Sequence, residues 1–234
     1  MFMKYEGYSS FDKAREALKN VKYEKLRCID VSEFQGDINW TAIKNSGIEA
    51  AIIRVGVRGW GDAGNRLDDN RYIENLRNAK AAGIKVGVYY YSMALNEKEA
   101  LEEAKQTCEN IKKAGVKLEL PVTIDIEITD GNSSRAVRHN SVANKKQNTD
   151  VVIKFCEYVR SQGYEPMIYS SAYFFKDNLD YSRLGSYKIW VAHWGAKFPN
   201  CPLPYTCWQY SATGKVNGID RRWDVDMDTY CLRK

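Results

Sequence analysis

The sequence predicts a single α/β domain folded as an irregular, TIM-like barrel. From residue 27 onward, short apolar strands alternate with helical stretches, as in repeated βα units. After residue 166, strand patterns follow one another with short helices or none between them. A chain of 234 residues is long enough for one barrel of this kind. The change from a regular first part to a strand-rich second part favours an irregular barrel over a symmetric eightfold one.

In the first part, each predicted strand is followed by a helical pattern. The strands are expected at residues 27–34, 50–56, 85–92 and 120–128, and the helices at 38–47, 71–83, 96–115 and 148–163. The Gly- and Asp-rich residues 59–70 are predicted to be a loop. The second part contributes four strands, at residues 166–175, 187–194, 206–214 and 225–231.

Residues 1–26 precede the predicted barrel, which is assigned to residues 27–234. They read as an amphipathic helical extension or as an inter-module segment. They lack the basic region followed by an apolar stretch that marks a signal peptide. We therefore expect either that a signal was removed from this chain or that export takes another route.

Composition excludes several classes of protein. Hydrophobic residues make up 44% and charged residues 28%, which is ordinary for a globular protein and argues against disorder. No apolar run approaches the ~20 residues of a membrane helix. The net charge of +5 is spread along the chain, which suits an anionic cell surface or polymer and gives no basic block for nucleic acid.

The six cysteines do not form a metal-binding pattern, and only two histidines are present to assist them. No metal site and no cofactor are therefore expected. Cys201 and Cys207 flank a short Pro-containing loop and are candidates for a disulfide. Cys108 and Cys156 fall within helical patterns and are expected to be buried thiols.

Acidic residues fall where several predicted strands end. In PVTIDIEITD, Asp125 and Glu127 alternate with apolar residues, so their side chains point to the same face. Alone, such a pair is more often a solvated strand end than a site. Active sites of parallel barrels, however, gather at the C-terminal ends of the strands; Asp30 ends the first predicted strand, and Asp226 lies in the last one. Four converging carboxylates suit glycosidic bond hydrolysis, which needs a protonated acid and a charged partner.

These residues also resemble the glycoside hydrolase family 25 lysozymes, which include phage endolysins and bacterial autolysins. The likeness covers residues 28–232 and runs in order through IDVSEFQGDINW, AIIRVG, GVYYYS, PVTIDIE, MIYSS, IWVAHW, WQYS and GIDRRWDVDMD. The resemblance implies a (β/α)5β3 barrel. It also implies a muramidase that cleaves the β-1,4 bond between N-acetylmuramic acid and N-acetylglucosamine in peptidoglycan. The expected protein is a monomer, secreted or wall-associated, of bacterial or phage origin.

By this resemblance Glu127 is the proton donor and Asp125 its partner, which steers the substrate's acetamido group or stabilises charge. Asp30 and Asp226 match two further acids of the site. Asp30 has an alternative role as an acceptor for backbone amides. In DVDMD, residues 224–228, Asp224 or Asp228 is an alternative to Asp226 as the acid that points into the site. The family more often has Asn at position 228.

The same resemblance assigns saccharide-groove positions to Tyr90, Tyr169, Trp190, Trp194 and Gln209, whereas Tyr89 and Trp208 are expected in the core. Arg54 is equally suited to contact substrate or to balance the acids.

Two histidines invite a catalytic role. His193 stands where the family often has Tyr, and is expected to line the groove or make a structural hydrogen bond. His139 is expected to be solvated, on a mobile segment at the edge of the site.

The mechanistic hypothesis is that Glu127 stays protonated near neutral pH because Asp125 and the other acids raise its pKa. Substrate assistance with retention is favoured over inversion. Two rivals are a non-catalytic wall-binding barrel, which should lack one of the acids, and a chitinase-like hydrolase, whose DxxDxDxE pattern is absent.

Overall fold

The computed structural model describes residues 23–233, which form one closed barrel surrounded by helices. The predicted amphipathic helix falls in residues 1–22, outside the described residues. The first strand begins at Tyr23, so the barrel includes four residues of the segment that was assigned to the extension.

Nine strands and six α-helices are described. The strands are β1 (Tyr23–Val31), β2 (Ala50–Arg58), β3 (Arg66–Asp68), β4 (Lys85–Tyr91), β5 (Val122–Asp125), β6 (Pro166–Ser171), β7 (Lys188–Ala192), β8 (Cys207–Gly214) and β9 (Val225–Arg233). The helices are α1 (Trp40–Asn45), α2 (Tyr72–Ala81), α3 (Glu97–Ala114), α4 (Ser134–Asn140), α5 (Lys145–Ser161) and α6 (Ala172–Asp177). Short 3-10 turns lie at Glu33–Gln35, Val142–Asn144 and Tyr181–Arg183.

Eight strands close the barrel in the order β1, β2, β4, β5, β6, β7, β8, β9, with β9 returning to pair with β1. All neighbouring pairs are parallel except those made by β9, which runs antiparallel to both β8 and β1. Helices follow the first five barrel strands, and no α-helix connects the last three. The predicted irregular barrel of five βα units and three further strands is therefore confirmed.

The apolar residues divide into two layers because successive side chains of a strand point to opposite faces. One set fills the space inside the barrel: Leu26, Cys28, Ala50, Ile52, Leu120, Met167, Tyr169, Trp190, Ala192, Cys207 and Tyr230. The larger set packs between the strands and the helices. Each Val, Leu or Ile buried there contributes roughly 1.5–3 kcal/mol relative to exposure.

The longest predicted helix shows why the sequence folds this way locally. The Asn96 side chain caps α3 by accepting from the Glu99 backbone N–H, and Gly115 ends the helix with φ of 69°. Ala100, Ala104 and Ile111 are buried on one face. This face packs α3 against the barrel and α5.

Several local predictions differ from the structure. The segment 59–70 contains β3, a short exposed strand paired with β2. The polar segment after β5 forms α4, and the end of the predicted strand 166–175 is the helix α6. Ser133 and Ser171 cap these two helices, and such local caps are weak signals when the flanking residues have high strand propensity.

The predicted disulfide is wrong. Cys201 is a buried free thiol in the layer outside the barrel, whereas Cys207 points inside and donates its S–H to Asp228 Oδ1 at 3.9 Å. The two side chains thus lie on opposite sides of the sheet. Cys108 and Cys156 are buried as predicted.

Candidate active site

The predicted acids meet where the parallel strands end. Asp30 is the penultimate residue of β1, and Asp125 is the last residue of β5. Glu127 follows two residues beyond β5. Asp226 lies near the start of β9 and pairs directly with Asp30. Residues directly opposite each other in neighbouring strands point to the same face, so these two carboxyls project together into the barrel mouth.

Asp228 joins this group, although it was considered only as an alternative to Asp226. Both point inward because they are two residues apart on β9, whereas Asp224 is exposed before the strand. Asp228 is 1% exposed and accepts a 2.7 Å hydrogen bond from Trp190 Nε1. We call Asp30, Asp125, Glu127, Asp226 and Asp228 the acid cluster.

Crowding and burial keep part of the cluster protonated. Burial raises the pKa of Glu127 to about 7, and the carboxylates of Asp226 and Asp130 add to the effect. Burial also raises the pKa of Asp226 to about 6. The pKa of Asp125 is raised well above its usual value, first by burial and then by Glu127, while Arg54 opposes the rise. Burial, and not Asp125 as we expected, is therefore the largest cause of the Glu127 shift.

Gln209 connects the acids to the aromatic side chains. Its Nε2 donates to Asp30 Oδ2 at 2.9 Å, and its Oε1 accepts from both Tyr169 Oη and Trp194 Nε1, each at 2.9 Å. Gln209 is 2% exposed, whereas the Trp194 ring is 56% exposed. The buried amide thus holds an exposed indole beside the acid cluster.

The other predicted groove residues have different positions. Trp190 is 1% exposed and lies below the acids, where it packs against Tyr169 with ring centroids 4.5 Å apart. Tyr169 is also buried. Neither side chain has the exposure needed to form a saccharide platform, and both support the residues above them.

The prediction for Tyr90 is wrong. Tyr90 lies in the layer outside the barrel, fully buried, and donates its hydroxyl hydrogen to Gln106 Oε1 at 3.0 Å. Tyr89 has the opposite orientation: it pairs with Arg54 across β2 and β4 and packs edge-on against Trp190 inside the barrel. Three consecutive tyrosines in β4 gave no indication of which one faced inward.

Arg54 acts as a counter-ion inside the mouth of the barrel. Its Nε contacts Asp69 Oδ2 and its Nη2 contacts Glu33 Oε1, each at 2.9 Å. The guanidinium also lies over the Phe34 ring, 4.8 Å from its centroid. Through these two contacts Arg54 holds the loops after β1 and β3 together, and its charge opposes the rise in the pKa of the nearby Asp125.

Exposed aromatic side chains surround the mouth of the barrel in the connections that follow the parallel strands. Phe34, Tyr173 and Trp194 lie in predicted strands, and of the whole set only Trp194 was assigned to the groove, by the family resemblance. The set consists of Phe34, Trp60, Tyr173, Trp194, Phe198 and Trp223.

Neither histidine is placed for proton transfer. His193 Nδ1 accepts from the Asn200 backbone N–H at 2.9 Å, which is the structural hydrogen bond expected of it. His139 was expected to be solvated, and this is wrong. It is fully buried in α4 and stacks on Phe174, and burial lowers its pKa to about 4, which keeps the ring neutral.

The arrangement is suited to acid catalysis at an ether oxygen. Glu127 is partly exposed and protonated up to near-neutral pH, so it is able to deliver a proton to a bound molecule. Asp226 and Asp130 provide negative charge near it. Within residues 23–233, no three His, Cys, Asp or Glu side chains are arranged to hold a metal ion. The helices in that range also lack the combination of length and apolar character that spans a bilayer.

Comparisons with known proteins identify the family to which the sequence is similar. A family model described as glycosyl hydrolases family 25 matches residues 29–219. An autolytic lysozyme of Clostridium acetobutylicum is 31% identical over 201 residues, which are 86% of this chain and 55% of that protein. The chain thus spans little more than half of this relative's length.

Solved structures show the same fold. A bacterial lysozyme from Streptomyces coelicolor superposes with a TM-score of 0.70 at 28% identity, covering 88% of this chain and 91% of that one. The modular autolysin LytC of Streptococcus pneumoniae, in complex with a synthetic peptidoglycan ligand, gives a TM-score of 0.73 at 25% identity. That comparison covers 88% of this chain and 47% of LytC.

Proposed function

The chain belongs to glycosyl hydrolases family 25, and from that premise we propose that it is a peptidoglycan muramidase. It hydrolyses the β-1,4 bond between N-acetylmuramic acid and N-acetylglucosamine. Its substrate is the glycan strand of a bacterial cell wall, on which it acts outside the cell as a monomer. A single sedimenting species at monomer mass would support the last point, and a dimer would contradict it.

One observation carries the proposal: Glu127 combines partial exposure with a pKa raised to about 7. Of its neighbours, Asp125 is more buried, and Asp226 has a lower pKa of about 6 and is therefore more ionised. A general acid is most effective when its pKa lies near the working pH. Burial also raises the pKa of Glu103, which is ion-paired with Arg58, to about 7, but Glu103 is fully buried, so partial exposure is what distinguishes Glu127.

In the proposed first step, the Glu127 carboxyl donates its proton to the bridging oxygen as the bond to the anomeric carbon of N-acetylmuramic acid breaks. The acetamido oxygen of the same sugar attacks that carbon, with Asp125 orienting the acetamido group. Glu127, now a carboxylate, then takes a proton from the water that opens the cyclic intermediate. The configuration at the anomeric carbon is retained. Proton NMR of the first product detects this outcome, and an inverted anomer would refute the route.

The exposed aromatic ring around the barrel mouth supports a glycan substrate. Aromatic faces present large apolar surfaces that suit the apolar faces of sugar rings. Trp194 is held at the edge of the acid cluster by Gln209, and the LytC comparison concerns a protein of this fold with a peptidoglycan ligand. These features favour a chain of linked sugars over a small ligand.

The test is clearing of purified peptidoglycan by wild type and by Glu127→Gln, with released reducing ends identified by mass spectrometry. Glu157→Gln is the matched control, because Glu157 is exposed on α5 and the substitution is chemically the same. The wild type and the control should release N-acetylmuramic acid reducing ends, and Glu127→Gln should lose at least about a hundredfold in rate. Equal activity of Glu127→Gln would exclude the assigned mechanism. New N-acetylglucosamine reducing ends would exclude a muramidase, and binding without cleavage by wild type would indicate a glycan-binding barrel.

A further inference from the structure

Two carboxyl groups of the acid cluster, those of Asp30 and Asp228, are held by protein hydrogen bonds inside the barrel. Asp30 is 5% exposed and Asp228 is 1% exposed. Their strands are paired through Asp30–Asp226 and Cys28–Asp228, so both side chains point inward one step apart along the barrel axis. The mechanism above assigns them no contact with the sugar.

The hydrogen bonds around this pair leave Asp228 Oδ2 open for a proton. Asp228 Oδ1 accepts from Trp190 Nε1 at 2.7 Å, and Asp30 Oδ2 accepts from Gln209 Nε2 at 2.9 Å. Asp228 Oδ2 is buried and receives no N–H or O–H from any described protein group. The register of β1 and β9 places the Asp30 and Asp228 carboxyls next to each other inside the barrel, where one is able to donate to the other only if it carries a proton. Asp226 approaches Asp30 from the directly opposite position.

No ion pair within residues 23–233 neutralises either carboxyl, since Arg54 is engaged by Glu33 and Asp69. A buried carboxylate without a cation is expensive, and two in contact are more so. The pKa of Asp30 is raised by burial and then by Asp226 and Asp228, and burial likewise raises that of Asp228. Retention of one proton between the two groups removes the repulsion.

We propose that Asp228 is a positioning residue that shares one proton with Asp30 and, through Asp30 and Gln209, sets the position of the exposed Trp194 ring. The connection is continuous. Asp30 accepts from the Gln209 amide, which orients the Gln209 carbonyl oxygen towards Trp194 Nε1. If the shared proton leaves, the two carboxylates repel each other and the Asp30–Gln209–Trp194 contacts loosen.

Other titratable groups face the pair from the neighbouring strands: Cys28, Tyr89, Tyr169, Cys207, Tyr210 and Asp226. Burial raises the pKa values of Cys28 and the three tyrosines, which therefore stay neutral near pH 7. Asp226 titrates nearer the surface with a pKa of about 6, and Arg54 acts on Asp125 and Tyr89. The test must therefore separate Asp228 from Asp226 and from Glu127.

The inference rests on the proposed function only in that Trp194 contacts the glycan. Binding of a soluble peptidoglycan tetrasaccharide is measured by calorimetry between about pH 5 and pH 9 in a Glu127→Gln background, which removes titration of the general acid. The compared protein is the double variant Glu127→Gln/Asp228→Asn. An Asn side chain keeps an acceptor for Trp190 and gives Asp30 a donor that does not titrate. Asp177→Asn, an exposed acid at the end of α6, is the control.

As the pH rises from about 5 to about 9, the Kd of Glu127→Gln for the tetrasaccharide should increase. This increase should be about tenfold larger than the increase for the Asp228→Asn double variant, because only Glu127→Gln loses a charge-assisted contact. Adding Trp194→Ala to Glu127→Gln should remove the same excess. Superimposable profiles of the Glu127→Gln single variant and the Asp228→Asn double variant would overturn the inference.

Infrared difference spectroscopy of Glu127→Gln gives a second measurement that does not require ligand binding. A protonated buried carboxyl should lose its carbonyl band as the pH is raised. Asp125 and Asp226 also contribute to the carbonyl band that is lost, so Asp228→Asn should reduce that change by the share of one carboxyl. If the tetrasaccharide fails to bind at every pH, the proposed function fails. The infrared titration then decides the shared proton, and an unchanged band in the Asp228→Asn double variant would refute it.

Discussion

Replacing Glu127 by Gln should make the protein more stable above neutral pH while abolishing its activity. The fold raises the pKa of Glu127 from 4.5 to about 7. The folded state therefore holds the proton more tightly than the unfolded chain does, and folding stability falls as the pH rises from about 4.5 through about 7. One pKa unit corresponds to about 1.36 kcal/mol, so the ionised side chain costs the fold about 3 kcal/mol at alkaline pH.

A neutral Gln of the same shape avoids this cost. For a domain of this size, about 3 kcal/mol corresponds to an increase in Tm of roughly 6–12 °C. The difference should be near zero at pH 4, where Glu127 is protonated in both states, and should reach its full value above about pH 8.

The assay is thermal unfolding by circular dichroism for wild type, Glu127→Gln and the exposed control Glu157→Gln at closely spaced pH values. Peptidoglycan hydrolysis is measured on the same samples. Wild-type kcat should fall about tenfold per pH unit above about pH 7, as the acid form is depleted. A Tm difference that does not change with pH, or a less stable Glu127→Gln at pH 8, would refute the assigned environment of Glu127.

Three further substitutions test other parts of the site. Trp194→Ala removes an exposed ring that is hydrogen-bonded to Gln209. It should raise KM about fivefold to tenfold with little change in Tm, and an unchanged KM would exclude the ring from the substrate site. Arg54→Met leaves the carboxylates of Glu33 and Asp69 unpaired and should lower the free energy of unfolding in urea by about 3–5 kcal/mol, while the pKa of Asp125 rises. A decrease below about 1 kcal/mol would contradict the role of Arg54 as a counter-ion. Tyr90→Phe removes a hydrogen bond outside the barrel and should lower the free energy of unfolding by about 1 kcal/mol, with kcat/KM unchanged. A fall in kcat/KM would place Tyr90 in the groove.

The sequence determined the architecture because its signals there are local. Alternating apolar residues, helix caps and the length of each segment are properties of neighbouring residues. They predicted an irregular barrel of four βα units followed by four strands, and the family resemblance supplied the fifth βα unit, whose helix α6 lies in a predicted strand. The convergence of Asp30, Asp125 and Glu127 was also predictable, because parallel strands bring their C-terminal ends to one edge whatever side chains they carry. Asp226 reaches the same edge because β9 is antiparallel and begins there.

Only the tertiary structure decided which side chains face the site. Register settles the choice between Tyr89 and Tyr90, because neighbours in a strand point to opposite faces and an all-tyrosine run gives no preference. Sequence periodicity also does not predict how deep in the barrel a side chain lies. Trp190 and Trp194 are both tryptophans, but Trp190 is buried below the acids and Trp194 is exposed above them.

The electrostatics of the site likewise depend on distant parts of the chain. Asp69 and Glu33 engage Arg54 from two separate loops, and Asp228 reaches Asp30 only because β9 turns back to pair with β1. The sequence by itself therefore determined which acids gather at the barrel mouth. The closed barrel decided their charges, since burial and cross-strand contacts set each pKa and neither exists before the chain is folded.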